Sequence, residues 1–221
     1  MRYDLLVIGA SWGGLRAVGE VLGGLGEEAA AAIVVAQHRG PSNGERLVQL
    51  LRRQTPLPVR EAEDKDELEP ATVYLAPPDY HTLIEGDGTI ALSTEEHVRF
   101  ARPSIDVLFC SAAEAYRERC VGVVLTGASE DGAEGLALIK KLGGVAVVQD
   151  PRTAERHEMP AAALEATQAD VVLPLAEIGL FLRGLLLPGA TAAAGPPRPS
   201  TDARRSTRGS GSGRSRQTQR R

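Results

Sequence analysis

Short, mostly apolar runs alternate along the chain with longer stretches in which apolar residues recur every three or four positions. Residues 3–8 (YDLLVI), 33–36 (IVVA), 72–76 (TVYLA), 121–125 (VGVVL), 145–149 (VAVVQ) and 171–173 (VVL) read as strands. They lack polar alternation, which suits strands covered on both faces, as in a parallel sheet. Helical patterns fill the intervals. Ser42-Asn43-Gly44-Glu45 has capping-box spacing ahead of Leu47, Leu50 and Leu51. Pro103-Ser104 opens a second helix, with Ile105, Leu108, Phe109, Ala112 and Tyr116 on one face. Residues 132–142 form a third, ended by Gly143-Gly144, and residues 175–187 a last one, stopped by Pro188-Gly189. Residues 82–85 and 89–92 flank Gly86-Asp87-Gly88, a hairpin signal. Strand–helix alternation of this kind predicts an α/β, doubly wound sheet with helices on both faces. No internal repeat is present.

The pattern ends near residue 190. Beyond it no apolar side chain is larger than alanine, and Gly, Ser, Arg, Pro and Thr dominate. Such a segment cannot bury enough surface to offset its ordering entropy. The expected organisation is one catalytic-size domain over 1–189 and a disordered tail over 190–221. Charge divides the same way. The tail carries eight arginines and one acid, a charge of +7; since the whole chain is −4, about −11 is left for the body. An acidic body argues against a nucleic-acid groove as the main surface, and the basic tail is expected to be idle and solvated. Two cysteines, Cys110 and Cys120, are too few for a disulfide framework. No secretory signal opens the chain, and no apolar run approaches the ~18–20 residues of a membrane span. A soluble, cytoplasmic protein is the expectation.

Chemistry concentrates at the ends of strands. The first strand runs into Gly9-Ala10-Ser11-Trp12-Gly13-Gly14 and then a helix. Gly-x-Ser-x-Gly between strand and helix is the nucleophile-elbow pattern, in which glycines permit a tight turn and the hydroxyl projects from the sheet edge. Phosphate binding by the same N–H groups competes with that reading. A dinucleotide site, however, wants glycine where Ser11 stands and an acid after the second strand, which ends instead in Gln37-His38. Functional groups of an open parallel sheet gather beyond the carboxyl ends of its strands, so Ser11 and His38 fall on one edge. Leu125-Thr126-Gly127-Ala128-Ser129-Glu130-Asp131-Gly132 reaches that edge after a third strand. Asp131 is there either a helix cap or the group that orients His38. A lone His, Ser or Asp carries little weight; three on one edge form a candidate triad. His81 and His97 lack metal-ligand spacing, so no metal and no cofactor are expected. His157 reads as a loop residue. Arg102 either contacts an acidic partner or pairs with a nearby carboxylate.

These segments also carry a resemblance. Residues 7–14, Gln37-His38, Arg102-Pro103-Ser104-Ile105-Asp106 through Phe109, 125–132, Tyr74-Leu75-Ala76-Pro77-Pro78-Asp79 and Met159-Pro160 are similar, in order, to the catalytic domain of chemotaxis protein-glutamate methylesterases. The resemblance spans about residues 5–187. It implies a doubly wound sheet with an antiparallel hairpin near one edge. It implies a cytoplasmic serine esterase that hydrolyses γ-glutamyl methyl esters on chemoreceptor helices, with glutamine deamidation in some members. Ser11 is implied as nucleophile, His38 as base and then acid, Asp131 as orienter, and Trp12, Gly13 and Ala128 as lining of the oxyanion region. Trp12 replaces the family's usual small residue, and Ala128-Ser129-Glu130 departs from its usual loop. The resemblance also implies an N-terminal receiver domain, which this sequence does not contain; constitutive activity or control by a separate response regulator is expected. Two alternatives stay open: a catalytically weak signalling module that binds receptor or kinase components, and an esterase for another protein ester.

Overall fold

The structure is a computed structural model and describes residues 3–40 and 44–187. Seven strands form one sheet: β1 (Leu5–Ala10), β2 (Ala32–Gln37), β3 (Val59–Glu61), β4 (Val73–Leu75), β7 (Cys120–Val124), β8 (Val145–Gln149) and β9 (Val171–Leu173). Their spatial order is β3-β4-β2-β1-β7-β8-β9 and every pairing is parallel. Every residue of β1, β2 and β7 is buried, as the unbroken apolar runs require for strands covered on both sides. One core cluster packs Val18, Val21, Leu22, Ile178 and Leu182 onto Leu6, Ile8, Ile33 and Val35; the other packs Ile105, Leu108, Phe109 and Leu136 onto Leu5, Val7 and Val34. The sheet is doubly wound, as expected.

On the first face lie α1 (Gly14–Leu25) and α6 (Leu175–Leu186), with α2 (Gly44–Arg52) beside them; the second face carries α3 (Ile105–Tyr116), α4 (Ala133–Lys141) and α5 (Glu158–Ala166). The backbones of α1 and α6 touch: a Cβ added to Gly24 would lie 2.8 Å from Gly179 Cα, and one added to Gly179 would lie 2.6 Å from Val21 O. The predicted hairpin exists, as β5 (His81–Ile84) and β6 (Ile90–Ser93), but as a separate two-stranded sheet. It leans on α3, where Ser111 Oγ accepts from Ile84 N at 3.0 Å.

Two elements escape the sequence pattern. β3 has three residues, too few to show a period, and α5 carries Pro160 in its first turn, where a missing N–H costs nothing. His157 stands just ahead of α5 and is exposed. The capping residues proposed at 42–43 and the tail over 190–221 lie outside the described residues, as does the boundary at 189. Among the described residues, no helix is long and apolar enough to cross a membrane.

Strand order reverses around β1: its sequence successor β2 lies on one side, and β7 lies on the other. The crevice beyond such a switch point is where open α/β sheets bind ligands.

Candidate active site

Ser11 follows β1, His38 follows β2 and Asp131 follows β7, so the three predicted residues emerge from adjacent strands at the switch point. They also meet. His38 Nδ1 lies 3.2 Å from Ser11 Oγ, and His38 Nε2 lies 2.7 Å from Asp131 Oδ2. The imidazole thus turns Nδ1 to the alcohol and Nε2 to the acid. With the proton on Nε2, donated to the carboxylate, Nδ1 is free to accept from the hydroxyl.

Each member is held from several sides. The β1–α1 turn closes through Gly14 N to Ser11 O at 2.9 Å, and Gly13 there has φ 75°, a conformation glycine adopts without a Cβ clash. Ser11 N donates to Thr126 O, joining the serine loop to the loop after β7. Gly127 lies so close to this turn that an added Cβ would sit 2.8 Å from Ser11 Cβ and 1.9 Å from Met159 Sδ. The Thr-Gly pair and the buried Met159 are therefore packing partners of the serine. Gln37, part of the Gln-His pair, donates through Nε2 to Ser11 O at 2.7 Å and to His38 O at 3.0 Å. It ties the serine and histidine loops together, a role the pattern of apolar and polar residues gave no sign of.

Asp131 is almost fully buried, at 1% exposure. A buried carboxylate stays ionised there only if hydrogen bonds compensate its charge, and four donors converge on it. Besides His38 these are Ile105 N at 2.7 Å, Asp106 N at 2.9 Å and Ser104 Oγ at 2.9 Å. The carboxylate therefore sits on the amino terminus of α3, where unsatisfied N–H groups and the helix dipole favour an anion. Burial by itself raises its proton affinity, but the bonds from His38, Asp106 N and Ile105 N outweigh it and hold the carboxyl below the ordinary aspartate value. Asp131 also precedes Gly132, the residue at the start of α4. The helix-cap alternative thus fails in an instructive way, because the carboxylate serves the start of α3 rather than of its own helix.

Asp106 lies behind it, 6% exposed. Its Oδ1 accepts from Gly135 N at 2.8 Å and its Oδ2 from Arg99 Nε at 3.3 Å. Burial pushes this carboxyl up to about 6; the neighbouring Asp131 charge adds to that, while the Gly135 N–H and Arg99 oppose it. Arg99 also reaches Glu130 and Glu134, so one guanidinium links the approach to α3, the Asp131 loop and α4.

Trp12 projects outward, 64% exposed, with its indole N–H donated to Glu155 Oε1 at 3.0 Å. The bulky residue beside the nucleophile is a pinned surface feature of the site. Ala128 is exposed on the facing loop. Among the described residues, the backbone N–H groups of Trp12, Gly13 and Ala128 have no hydrogen-bond acceptor. Arg102 donates to the backbone oxygens of Thr94 and Glu95 rather than to a carboxylate. His81 is buried between Ser104 N and Glu96 O. Both cysteines are free thiols; burial pushes Cys110 up to about 11 and raises Cys120 further, so neither is a ready nucleophile. No group of three or more metal-ligating side chains occurs among the described residues.

The CheB methylesterase family matches residues 6–182. A Leptospira interrogans protein, provisionally named a protein-glutamate methylesterase/protein-glutamine glutaminase, is 47% identical over 184 residues, which cover 83% of this chain and 95% of that one. The protein-glutamate methylesterase FrzG of Myxococcus xanthus is 39% identical over 180 residues, 81% of this chain and 54% of FrzG. The crystal structure of the Thermotoga maritima CheB methylesterase catalytic domain superposes with a TM-score of 0.80 at 34% identity, covering 84% of this chain and all of that domain. A match this long, in sequence and in fold alike, leaves one assignment: the chain belongs to the CheB methylesterase family.

Proposed function

We propose that this chain is a serine esterase that hydrolyses γ-glutamyl methyl esters on chemoreceptor helices, releasing methanol and leaving glutamate, in a chemotaxis-type signalling pathway of the cytoplasm. The observation that carries the reading is one imidazole within hydrogen-bonding distance of both Ser11 and Asp131. As His38 Nδ1 takes the hydroxyl proton, Ser11 Oγ bonds to the ester carbonyl carbon. Asp131 holds the ring and stabilises the imidazolium. Negative charge gathers on the carbonyl oxygen, where the unpaired N–H groups of Trp12, Gly13 and Ala128 are the available donors. The tetrahedral adduct collapses, His38 returns the proton to the leaving methoxide, and methanol departs. Water then attacks the acyl-serine and gives a proton to His38, which passes it to Ser11 Oγ as the Ser11–carbonyl bond breaks, freeing the glutamate side chain and restoring the serine. With a glutamine side chain the same sequence expels ammonia, which matches the glutaminase part of the Leptospira protein's name.

The test is methanol release from a methylated chemoreceptor fragment by the full chain and by Ser11→Ala. General acid–base catalysis is worth ~10²–10⁴ in rate, so the variant should fall by at least that factor. Equal, slow release by both proteins would instead favour the binding-module alternative.

A further inference from the structure

A cleft of about 310 Å³ opens beside His38, bounded by Leu15, Arg39, Arg46, Leu47 and Leu50. We propose that this cleft is a specificity subsite: it receives the part of the substrate helix one turn away from the methylated glutamate, and Arg46 selects an acidic residue there. The proposal rests on the esterase reading above and adds where the helix lies and what flanks its target.

Continuity is the first argument. His38 belongs to the cleft and to the Ser11–His38–Asp131 array, so any group in the cleft is next to the reacting carbonyl. On a helix, side chains three and four positions apart stand ~5–6 Å from each other on one face. A helix that offers its ester to Ser11 with its axis running toward His38 places a neighbour from the adjacent turn over the ring or just beyond it. The space is too small for a whole helix and suits a few side chains.

The walls supply the chemistry. Leu47 is buried, Leu15 half-buried and Leu50 42% exposed, so the floor is apolar and partly open. The two guanidinium groups differ. Arg39 is committed, donating through Nη2 to Glu61 Oε2 at 2.8 Å and to Ala76 O at 2.7 Å. Arg46 is exposed on α2, and no carboxylate among the described residues pairs with it. A cation at the rim of an apolar cleft, on a body whose charge is about −11, is a local reversal of sign. It matches an amphipathic helix that offers an apolar and an acidic side chain one turn from its target. Rim charges of this kind act through selection and encounter.

The measurement is fluorescence anisotropy with the full chain carrying Ser11→Ala, so that no turnover occurs. The probe is a labelled helical peptide with one γ-methyl glutamate and a glutamate four residues away; matched peptides carry glutamine or lysine at that second position. Adding Arg46→Glu should weaken binding of the glutamate peptide about fivefold or more and strengthen binding of the lysine peptide. Both changes should shrink at ~1 M salt, where the screening length is about 3 Å. Restored binding of the swapped pair excludes simple misfolding. Arg46→Glu affinities within twofold of the parent for all three peptides would overturn the proposal, as would an equal loss for all three. A wild-type chain that binds in this charge-dependent way yet releases no methanol would overturn the esterase reading and leave the cleft assignment standing.

Discussion

Asp131 and Asp106 are neighbouring carboxyls displaced in opposite directions, and the difference lies in their donors. Asp131 collects a ring N–H, two backbone N–H groups and a hydroxyl, whereas Asp106 collects one backbone N–H and a long contact to Arg99. Aspartates in the unfolded chain titrate near 3.9. Asp106, raised to about 6, binds its proton more tightly when folded. Its contribution to stability is full below about pH 4 and is lost as pH rises through about 6. Asp131, lowered, contributes stability above the ordinary aspartate range and loses it as pH falls. Asp106→Asn removes the first effect and keeps an oxygen for Gly135 N. Between pH 4 and pH 7 the variant should gain stability relative to wild type, on the order of 2 kcal/mol. Denaturant unfolding at both values measures this, and an unchanged gap across the range contradicts it. At this scale the sequence was partly legible. Ser11, His38 and Asp131 were marked by their place after strands. Gln37 and Ser104 were visible as neighbours of motif residues, but which atoms they would hold was not, because their partners lie 26 and 27 residues away.

Glycines show how the elements were fitted. Gly179 in α6 meets α1 backbone, with an added Cβ 2.6 Å from Val21 O, whereas Gly184, in the same helix, has nothing within 4 Å. Gly179→Ala should cost about 1–3 kcal/mol through overpacking, and Gly184→Ala should stabilise by about 0.5–1 kcal/mol through helix propensity. Thermal or denaturant unfolding of the two variants measures the contrast; similar effects of one sign would refute the close helix contact. Periodicity revealed α3, α4 and α6 within a residue or two of their ends, because each buries one face over two turns or more. It missed β3, whose three residues give no period, and α5, whose proline reads as a breaker unless its place in the first turn is known. The hairpin was legible from its glycines, but its separation from the main sheet depends on packing against α3.

For the whole molecule, alternation of strands and helices implied the parallel, doubly wound sheet, while the order of strands required tertiary pairing. That order matters most for the site. It lays β2 and β7 on either side of β1, so residues 27 and 93 positions apart in the chain become hydrogen-bonded neighbours. A further consequence concerns cutting the chain. The loop from Glu85 to Thr89 joins the two strands of the small sheet, and an added Cβ on Gly86 would meet nothing within 4 Å. Division there would place the alcohol and imidazole on one polypeptide and the carboxylate on the other, with the seam running between β1 and β7 and between β5 and β6. Each fragment alone should be inert toward an activated ester, and mixing the two should restore turnover in proportion to the paired species. Activity in the first fragment by itself would show that the imidazole works without its acid, contrary to the division of labour argued for Asp131.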